Sequence, residues 1–429
     1  MKASIIIPVW NGEVFLPECL NALQRQTISD FEIIAVDNAS TDGSAELLAR
    51  AYSAVKLIRN PSNMGFAGGC NIGLRAAAAD ILVLLNQDTV VRPDWLAVIL
   101  QTFHDATIGI VGCKAHYADG KTLQHAGAYL TPQSAFGIHY GRGELDEGQY
   151  NQLTEPDYVT GAALALRREV YEQTHGFDEG FNPALYEEVD LCWRARRLGW
   201  RVVYQPAAVL VHAETISNAP PSYAWQSLFE RNRYRFVLRH WSSAALDDFL
   251  AHEIVSTTEQ VESRVIGARM RALVVNFMQW PTLNRARNDD PSLGGPLSSA
   301  EQAHLLDKLL ETRTVFAQRW LAGLSAQQNF RALAALPEGD FPRSTVPVLG
   351  HWVTHIRAFF LNTFVRPYLA PLIDQQRQYN QYLWQYMENS RLHVEESNDA
   401  INLALELARR EWLNLTPNQP EKDHAHDHK

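Results

Sequence analysis

Long apolar runs are what this chain of 429 residues most plainly lacks. No stretch of about 18 uncharged apolar residues occurs, so no membrane-spanning helix is expected. The opening Met1–Lys2–Ala3–Ser4–Ile5–Ile6–Ile7–Pro8 is too short for a signal peptide, and Pro8 ends it. Without an export signal, the sequons Asn38–Ala39–Ser40 and Asn414–Leu415–Thr416 read as chance. Cysteine is scarce. Cys19, Cys70, Cys113 and Cys192 are scattered, with no pair at metal-ligand spacing, which excludes a disulfide framework and suits reduced thiols in the cytoplasm. Positive charge is short as well: 38 Lys and Arg against 48 Asp and Glu leave a net charge of −10. That excludes a chain built to grip nucleic acid. G-x-G-x-x-G and the Walker lysine are both missing, so neither a dinucleotide fingerprint nor a P-loop is present. There is no internal repeat.

What is present is an alternation of short β runs and helical patterns from residue 3 to about 113. Ser4–Val9, Phe31–Val36, Val55–Arg59, the run from Ile81 and Ile108–Cys113 read as strands. The stripe Leu16, Leu20, Leu23 reads as helical, as do Ala45–Tyr52 and Phe66–Ala79. This rhythm predicts βαβ units, hence an α/β fold with a mostly parallel sheet and helices on both faces. From about 114 to 160 the pattern loosens into loop with short strands. Tyr158–Leu166 and Val202–Val211 return as strands, with Glu187–Leu198 as a helix between them.

After about 216 the chain becomes helical. The expected division is a catalytic domain over 1–215, a helical extension over 216–287, a linker over 288–298, a helical region over 299–413 and a disordered tail over 414–429. Within the helical region, Val348–Ile373 places Trp352, Ile356, Phe359, Phe360 and Phe364 at helical spacing. That stripe suits a membrane surface, or packing on the catalytic domain or a second subunit. The packing or homo-oligomer reading is preferred, because Gln375, Gln376, Gln378, Asn380 and Gln381 continue the segment without strong basic charge. The location implied is cytoplasmic, with peripheral contact at the inner face of the membrane as the second reading.

Five polar pieces punctuate this frame. The strand Ile81–Leu85 ends in Asn86–Gln87–Asp88. A carboxylate at the carboxyl end of a buried parallel strand lies where open α/β sheets bind ligands, and a hard oxygen donor there suits a divalent cation. Asp37 leaves the second strand at the same edge, free to accept a hydrogen bond from a ligand such as a pyrimidine imide. Ser40 and Asp42 are expected to cap the next helix. Asn60–Asn71, with Gly65, Gly68 and Gly69, is a glycine-rich helix start; it reads equally as a plain loop or as an anion site. Glu187, Glu188 and Asp190 crowd three carboxylates into four positions. Asp190 can pair with Arg194 one turn on, which leaves Glu187 and Glu188 less well explained; a carboxylate crowded this way in a cleft can act as a general base. His212 ends the last strand of the core, where a histidine is more often structural than a ligand, although a nearby acidic metal site raises the odds.

Taken in order, these pieces resemble the family 2 glycosyltransferases of GT-A fold, in particular the rhamnosyltransferase-type branch. The matching residues are Ile7–Pro8–Val9–Trp10–Asn11, Val36–Asp37–Asn38–Ala39–Ser40, Asn63–Asn71, Asn86–Gln87–Asp88–Thr89, Gly161–Ala162, Gly176–Phe177–Asp178–Glu179, Glu187–Leu191 and His212. The resemblance implies a GT-A type, mostly parallel sheet flanked by helices, with a C-terminal helical extension. It implies an inverting sugar transferase, acting in surface polysaccharide synthesis from a UDP- or dTDP-sugar onto a glycan or lipid-linked acceptor. Pro8, Asn11, Asp37, Gly65, Gly68, Gly69, Asn71, Asn86 and Gln87 would bind the nucleotide-sugar. Asp88 and His212 would hold Mg²⁺ or Mn²⁺. Glu188 would be the base, with Glu187 and Asp190 as the other candidates. Two positions depart from the family pattern: Asn86 replaces the first aspartate of D-x-D, and Glu188 stands where aspartate is usual. Two other classes compete. One is a sugar nucleotidyltransferase, although Pro8–Val9–Trp10–Asn11–Gly12 has no basic residue for a triphosphate. The other is a non-catalytic carbohydrate-binding or scaffold protein with a decayed site.

Overall fold

The computed structural model describes residues 1–213, 222–258 and 263–327, with Leu405, Glu406 and Arg409. Strands β1 (Ala3–Val9), β2 (Phe31–Asp37), β3 (Lys56–Arg59) and β4 (Ile81–Leu85) alternate with helices α1 (Leu16–Gln24), α2 (Ser44–Ala51) and α3 (Gly65–Ala76). Next come β5 (Thr89–Val91), α4 (Trp95–Thr102), β6 (Ile108–His116), β7 (Leu123–His125), β8 (Ala128–Leu130) and β9 (Gly137–His139). The core closes with β10 (Ala163–Arg167), α5 (Arg168–Thr174), α6 (Glu187–Arg197) and β11 (Arg201–His212). Helices α7 (Tyr223–His240), α8 (Ser243–Thr258), α9 (Ser263–Met278), α10 (Trp280–Asp289) and α11 (Ser299–Gln327) follow.

Among the described residues the main sheet runs β3-β2-β1-β4-β10-β6-β11-β5, with β7 added against β6. The first four strands are mutually parallel, as is β11 with β6. Only β10, β5 and β7 run against their neighbours. Side chains alternate across each strand. Ile5 and Ile7 of β1 share one core with Leu16 and Leu20 of α1 and with Trp95 and Ile99 of α4. Ile6 faces the other way, against α3: a side chain at Gly73 would meet its Cγ2 at 2.2 Å. The expected helices on both faces are therefore present. The expected strand Tyr158–Leu166 begins only at Ala163. Before that, Tyr158 bridges to Ala128 and Thr160 N donates to His125 Nε2, which pulls the chain off the sheet.

The described chain forms two compact units, Met1–Ser256 with Ala268–Thr312, and Thr257–Gly267 with the residues from Arg313 on. The stretch read as a linker lies inside the first unit and is hydrogen-bonded there. Gly294 N donates to Arg239 O, and the Leu293 carbonyl accepts from Arg197. No helix among the described residues is long and apolar enough to cross a membrane. The stripe Val348–Ile373 and the tail lie outside the described residues.

Candidate active site

The carboxyl edge of the sheet is assembled by mutual capping of its loops. Asn11 takes a left-handed conformation (φ 49°); its N–H donates to Ser40 Oγ, and its Oδ1 accepts from Thr41 N. Asp42 accepts from Glu13 N and from Ser44 N. Gly43 stands at the N-cap position of α2, and Asp42 just before it takes the first helical amide, Ser44 N, on its Oδ1, whereas Ser40 is used across the gap between the β1 and β2 loops. Gln87 grips the Trp10 peptide at both ends, its Oε1 accepting from Trp10 N at 3.1 Å and its Nε2 donating to Trp10 O at 3.0 Å. Asn11 and Gln87, both expected on the donor, thus serve the scaffold. Pro8 sits within β1, opposite Val36.

Asp37 lies buried at the end of β2. Its Oδ1 accepts from Ser40 N at 3.1 Å, and its second oxygen meets no protein donor among the described residues. At the glycine-rich helix start, Gly65 is left-handed (φ 71°), and the spaces a side chain would take at Gly65, Gly68 and Gly69 hold Asn182, Met64 and Asn38. These glycines admit protein side chains. The first two amides of α3 are also taken, Gly65 N by Asn63 Oδ1 and Phe66 N by Pro183 O. Asn71 is committed too: its amide nitrogen donates to Phe177 O and Glu179 Oε1, and its Oδ1 accepts from Phe177 N. The helix start is thus a joint between α3 and the 176–183 loop.

Asp88 follows β4, where the Asn86 N–H donates to Ala162 O and the Asn86 carbonyl accepts from Thr89 Oγ1. Antiparallel pairing of β11 with β5 sets His212 opposite Thr89. It brings His212 Nε2 to 3.2 Å from Asp88 Oδ1. Burial works against the Asp88 charge, but the hydrogen bond and charge of His212 outweigh it and hold the carboxyl below its usual range. His212 Nδ1 lies 2.9 Å from Gln124 Oε1, which orients the ring so that Nε2 faces the Asp88 carboxylate. An imidazole nitrogen and a carboxylate oxygen converging at this distance share a proton or, with that proton displaced, offer a nitrogen and a hard oxygen that fit a divalent ion. A cavity of about 120 Å³ opens beside Asp88, bounded by Phe15, Glu18 and Val211.

Across Gly161–Ala162 lies the acidic cluster. A side chain at Gly161 would meet the Glu188 Cβ at 3.6 Å and the Phe66 ring at 3.5 Å. The segment that anchors Asn86 therefore also backs Glu188. Three neighbouring carboxylates have diverged. Asp190 is fully buried and accepts from Arg194 Nε at 2.7 Å, Arg239 Nε at 3.1 Å and His240 Nε2 at 2.9 Å. Burial opposes its charge, but the two arginines and His240 keep its carboxyl well below the usual range. With its oxygens so engaged, Asp190 is not a base; the pairing with Arg194 read from the sequence is its role. Glu187 and Glu188 have no such partners among the described residues. Each leaves a buried Oε2 without a hydrogen bond. Burial, and then the charge of Glu188, push the Glu187 carboxyl well up; burial pushes Glu188 up to about 7.

Residues 4–174 match the model of the family described as Glycosyl transferase family 2. This stretch is a family 2 glycosyltransferase domain. The chain is 26% identical over 381 residues to the O-antigen biosynthesis protein RfbC of Myxococcus xanthus, covering 84% of this chain and 28% of that one. It is 27% identical over 233 residues to the O-antigen chain rhamnosyltransferase WbaN of Salmonella anatum, covering 53% of this chain and 70% of that one. It spans only 27% of a 27%-identical Sinorhizobium fredii protein, y4gI. Of solved structures, GalNAc-T7 with UDP, GalNAc and Mn²⁺ overlays with TM-score 0.48 and 17% identity, over 61% of this chain and 52% of that one.

Sequence reasoning missed the residues that hold the acidic cluster from behind. The helical character after 216 was legible, but not the partners that α7 takes: Arg235 bonds Asp178, and Arg239 and His240 bond Asp190. Gln124, which orients His212, lies in the loosened segment where no periodicity marks it.

Proposed function

We propose that this domain is an inverting transferase that moves a sugar from a UDP- or dTDP-sugar to a hydroxyl of a glycan or lipid-linked acceptor in surface polysaccharide synthesis. The observation that carries the reading is the Glu188 carboxylate, whose Oε2 has no hydrogen-bond partner among the described residues, backed by the same Gly161–Ala162 turn that anchors the Asp88 loop. Glu188 accepts the proton of the acceptor hydroxyl as its oxygen attacks the anomeric carbon, and Glu187 beside it keeps the pair from ionising together. Asp37 offers its open oxygen to the imide N–H of a pyrimidine base. Mg²⁺ or Mn²⁺ on Asp88 and His212 would supply charge stabilisation to the departing diphosphate. The O-antigen relatives support the polysaccharide setting. A decayed, purely binding site is disfavoured, since such a site has no reason to retain two buried carboxylate oxygens without partners.

The test is a thermal-shift and sugar-release screen of UDP-, dTDP- and GDP-sugars with and without Mn²⁺. Stabilisation and turnover with a UDP- or dTDP-sugar, strengthened by Mn²⁺, are expected. Binding of GDP alone, or of no nucleotide, overturns the reading.

A further inference from the structure

Between the short helical turn Glu179–Phe181 and α6 the chain forms an irregular arch. Leu185 and Tyr186 are both left-handed (φ 79° and 71°), a costly conformation for side chains of this size, and they immediately precede Glu187 and Glu188. Such strain persists only where surrounding structure overdetermines it. Here the grip comes from one buried side chain of α7. Asn232 Nδ2 donates to the carbonyls of Phe181 at 2.7 Å, Ala184 at 2.8 Å and Leu185 at 2.8 Å. Its Oδ1 accepts from Arg231 Nε at 2.8 Å, which fixes the orientation of the amide, and Arg231 Nη2 in turn donates to the Asn182 carbonyl. The far side of the arch meets the donor side: Pro183 O accepts from Phe66 N, in the first turn of α3, and the Asn182 side chain lies over Gly65. The arch is therefore clamped between α7 and α3, with the glutamate pair at its end.

We propose that Asn232 is a positioning residue: its amide fixes the 181–185 arch and thereby sets Glu188 relative to the start of α3. The inference rests on the transferase reading above. A residue that acts on the geometry of a base affects turnover more than ground-state binding, since a displacement of about 1 Å can cost roughly 100-fold in rate.

The test compares Asn232→Ala with Asn276→Ala in the full chain. Asn276 is the matched control: it is fully buried, and its Nδ2 donates to the helix carbonyls of Arg231 and Ala272, both at 2.9 Å, without bonding the arch itself. Asn232→Ala is expected to lower kcat about 100-fold and to move the inflection of the pH–rate profile, with nucleoside diphosphate affinity changed less than about threefold. Asn276→Ala, at a similar loss in Tm, should keep kcat within about threefold. Equal kcat losses in the two variants, or unchanged kcat in Asn232→Ala, overturn the proposal. If Asn232→Ala does not fold, Asn232→Ser, which keeps one donor, is read the same way. If the wild type transfers from no nucleotide-sugar, the functional reading has failed, and amide exchange then decides the positioning role. Faster exchange over 181–190 in the Asn232 variant with α3 unchanged supports it; unchanged exchange there overturns it.

Discussion

Glu187 and Glu188 carry identical side chains on consecutive positions of one helix, and the geometry gives them different prospects. Glu187 is almost wholly enclosed, whereas Glu188 is half-buried beside Gly161. A buried carboxyl next to another ionises late, because desolvation and the neighbouring charge both penalise the second anion. The pair therefore holds a proton in the acid range and yields a competent base near neutrality. Replacing Glu188 by Gln removes the proton acceptor while keeping shape and volume. Turnover is expected to fall by about 10²–10⁴-fold with nucleotide binding retained. Because the base must be ionised, the wild-type rate should rise about tenfold per pH unit below about 7 and level off above it. Steady-state kinetics against pH check both points; unchanged turnover in Glu188→Gln would reassign the base.

Helix α7 shows what one element can do for another. Its arginines and His240 take up Asp178 and Asp190, and Asn232 takes up the arch, so α6 presents Glu188 on a fixed footing. Asp190 thus belongs to the foundation of the site. Removing one partner of a buried ion pair strands the other charges, at a cost of about 3–5 kcal/mol. Asp190→Asn is accordingly expected to lower Tm sharply while the folded fraction keeps far more activity than Glu188→Gln. Thermal melts paired with activity per folded molecule test this, and a kcat loss at normal Tm would return Asp190 to the chemistry. The contrast also marks what the sequence could reveal. Strands β1 and β4 were legible because each is a continuous apolar run filling two faces of a sheet. The Asp190–Arg194 pair was legible because helical spacing dictates it. The work of Asn71, Gln87 and Asn232 was not, because each bonds backbone distant in the chain, and only the folded topology brings those partners within reach. The glycines of Asn60–Asn71 misled for a related reason: open backbone looks alike in sequence whether a ligand or a neighbouring asparagine fills the space.

At the scale of the whole molecule these local choices set opposing dependences on pH, all of them within one compact unit. Asp190, Asp178, Asp88 and Glu253 are held below their ordinary ionisation range. In each, burial opposes the charge and a cationic partner outweighs it: Arg194 and Arg239 at Asp190, Arg239 and Arg235 at Asp178, His212 at Asp88, and Arg233 at Glu253. For such groups the unfolded chain binds more protons at low pH, so their stabilisation is present above the unfolded value and lost as pH falls through the folded one. Burial pushes His240 and His139 down to about 4, so the unfolded chain also takes up their protons below about 6.5, and acid weakens the fold further. Glu187 and Glu188 act with the opposite sign. Both folded values are raised; for Glu188 the native state holds the extra proton between about 4.5 and about 7, and stability declines as pH rises through that window, with Glu187 acting in the same direction. The predicted curve of Tm against pH is a dome, falling steeply on the acid side and gently toward pH 8. Glu188→Gln removes an ionisation the folded chain resists, so the variant should melt above wild type at pH 8 and close to it at pH 5, while being inactive at both. Parallel curves for the two proteins would mean that the glutamate pair is not desolvated as described. A higher melting point at pH 8 would show that the domain bears, in its weaker fold near neutrality, the cost of an ionised base.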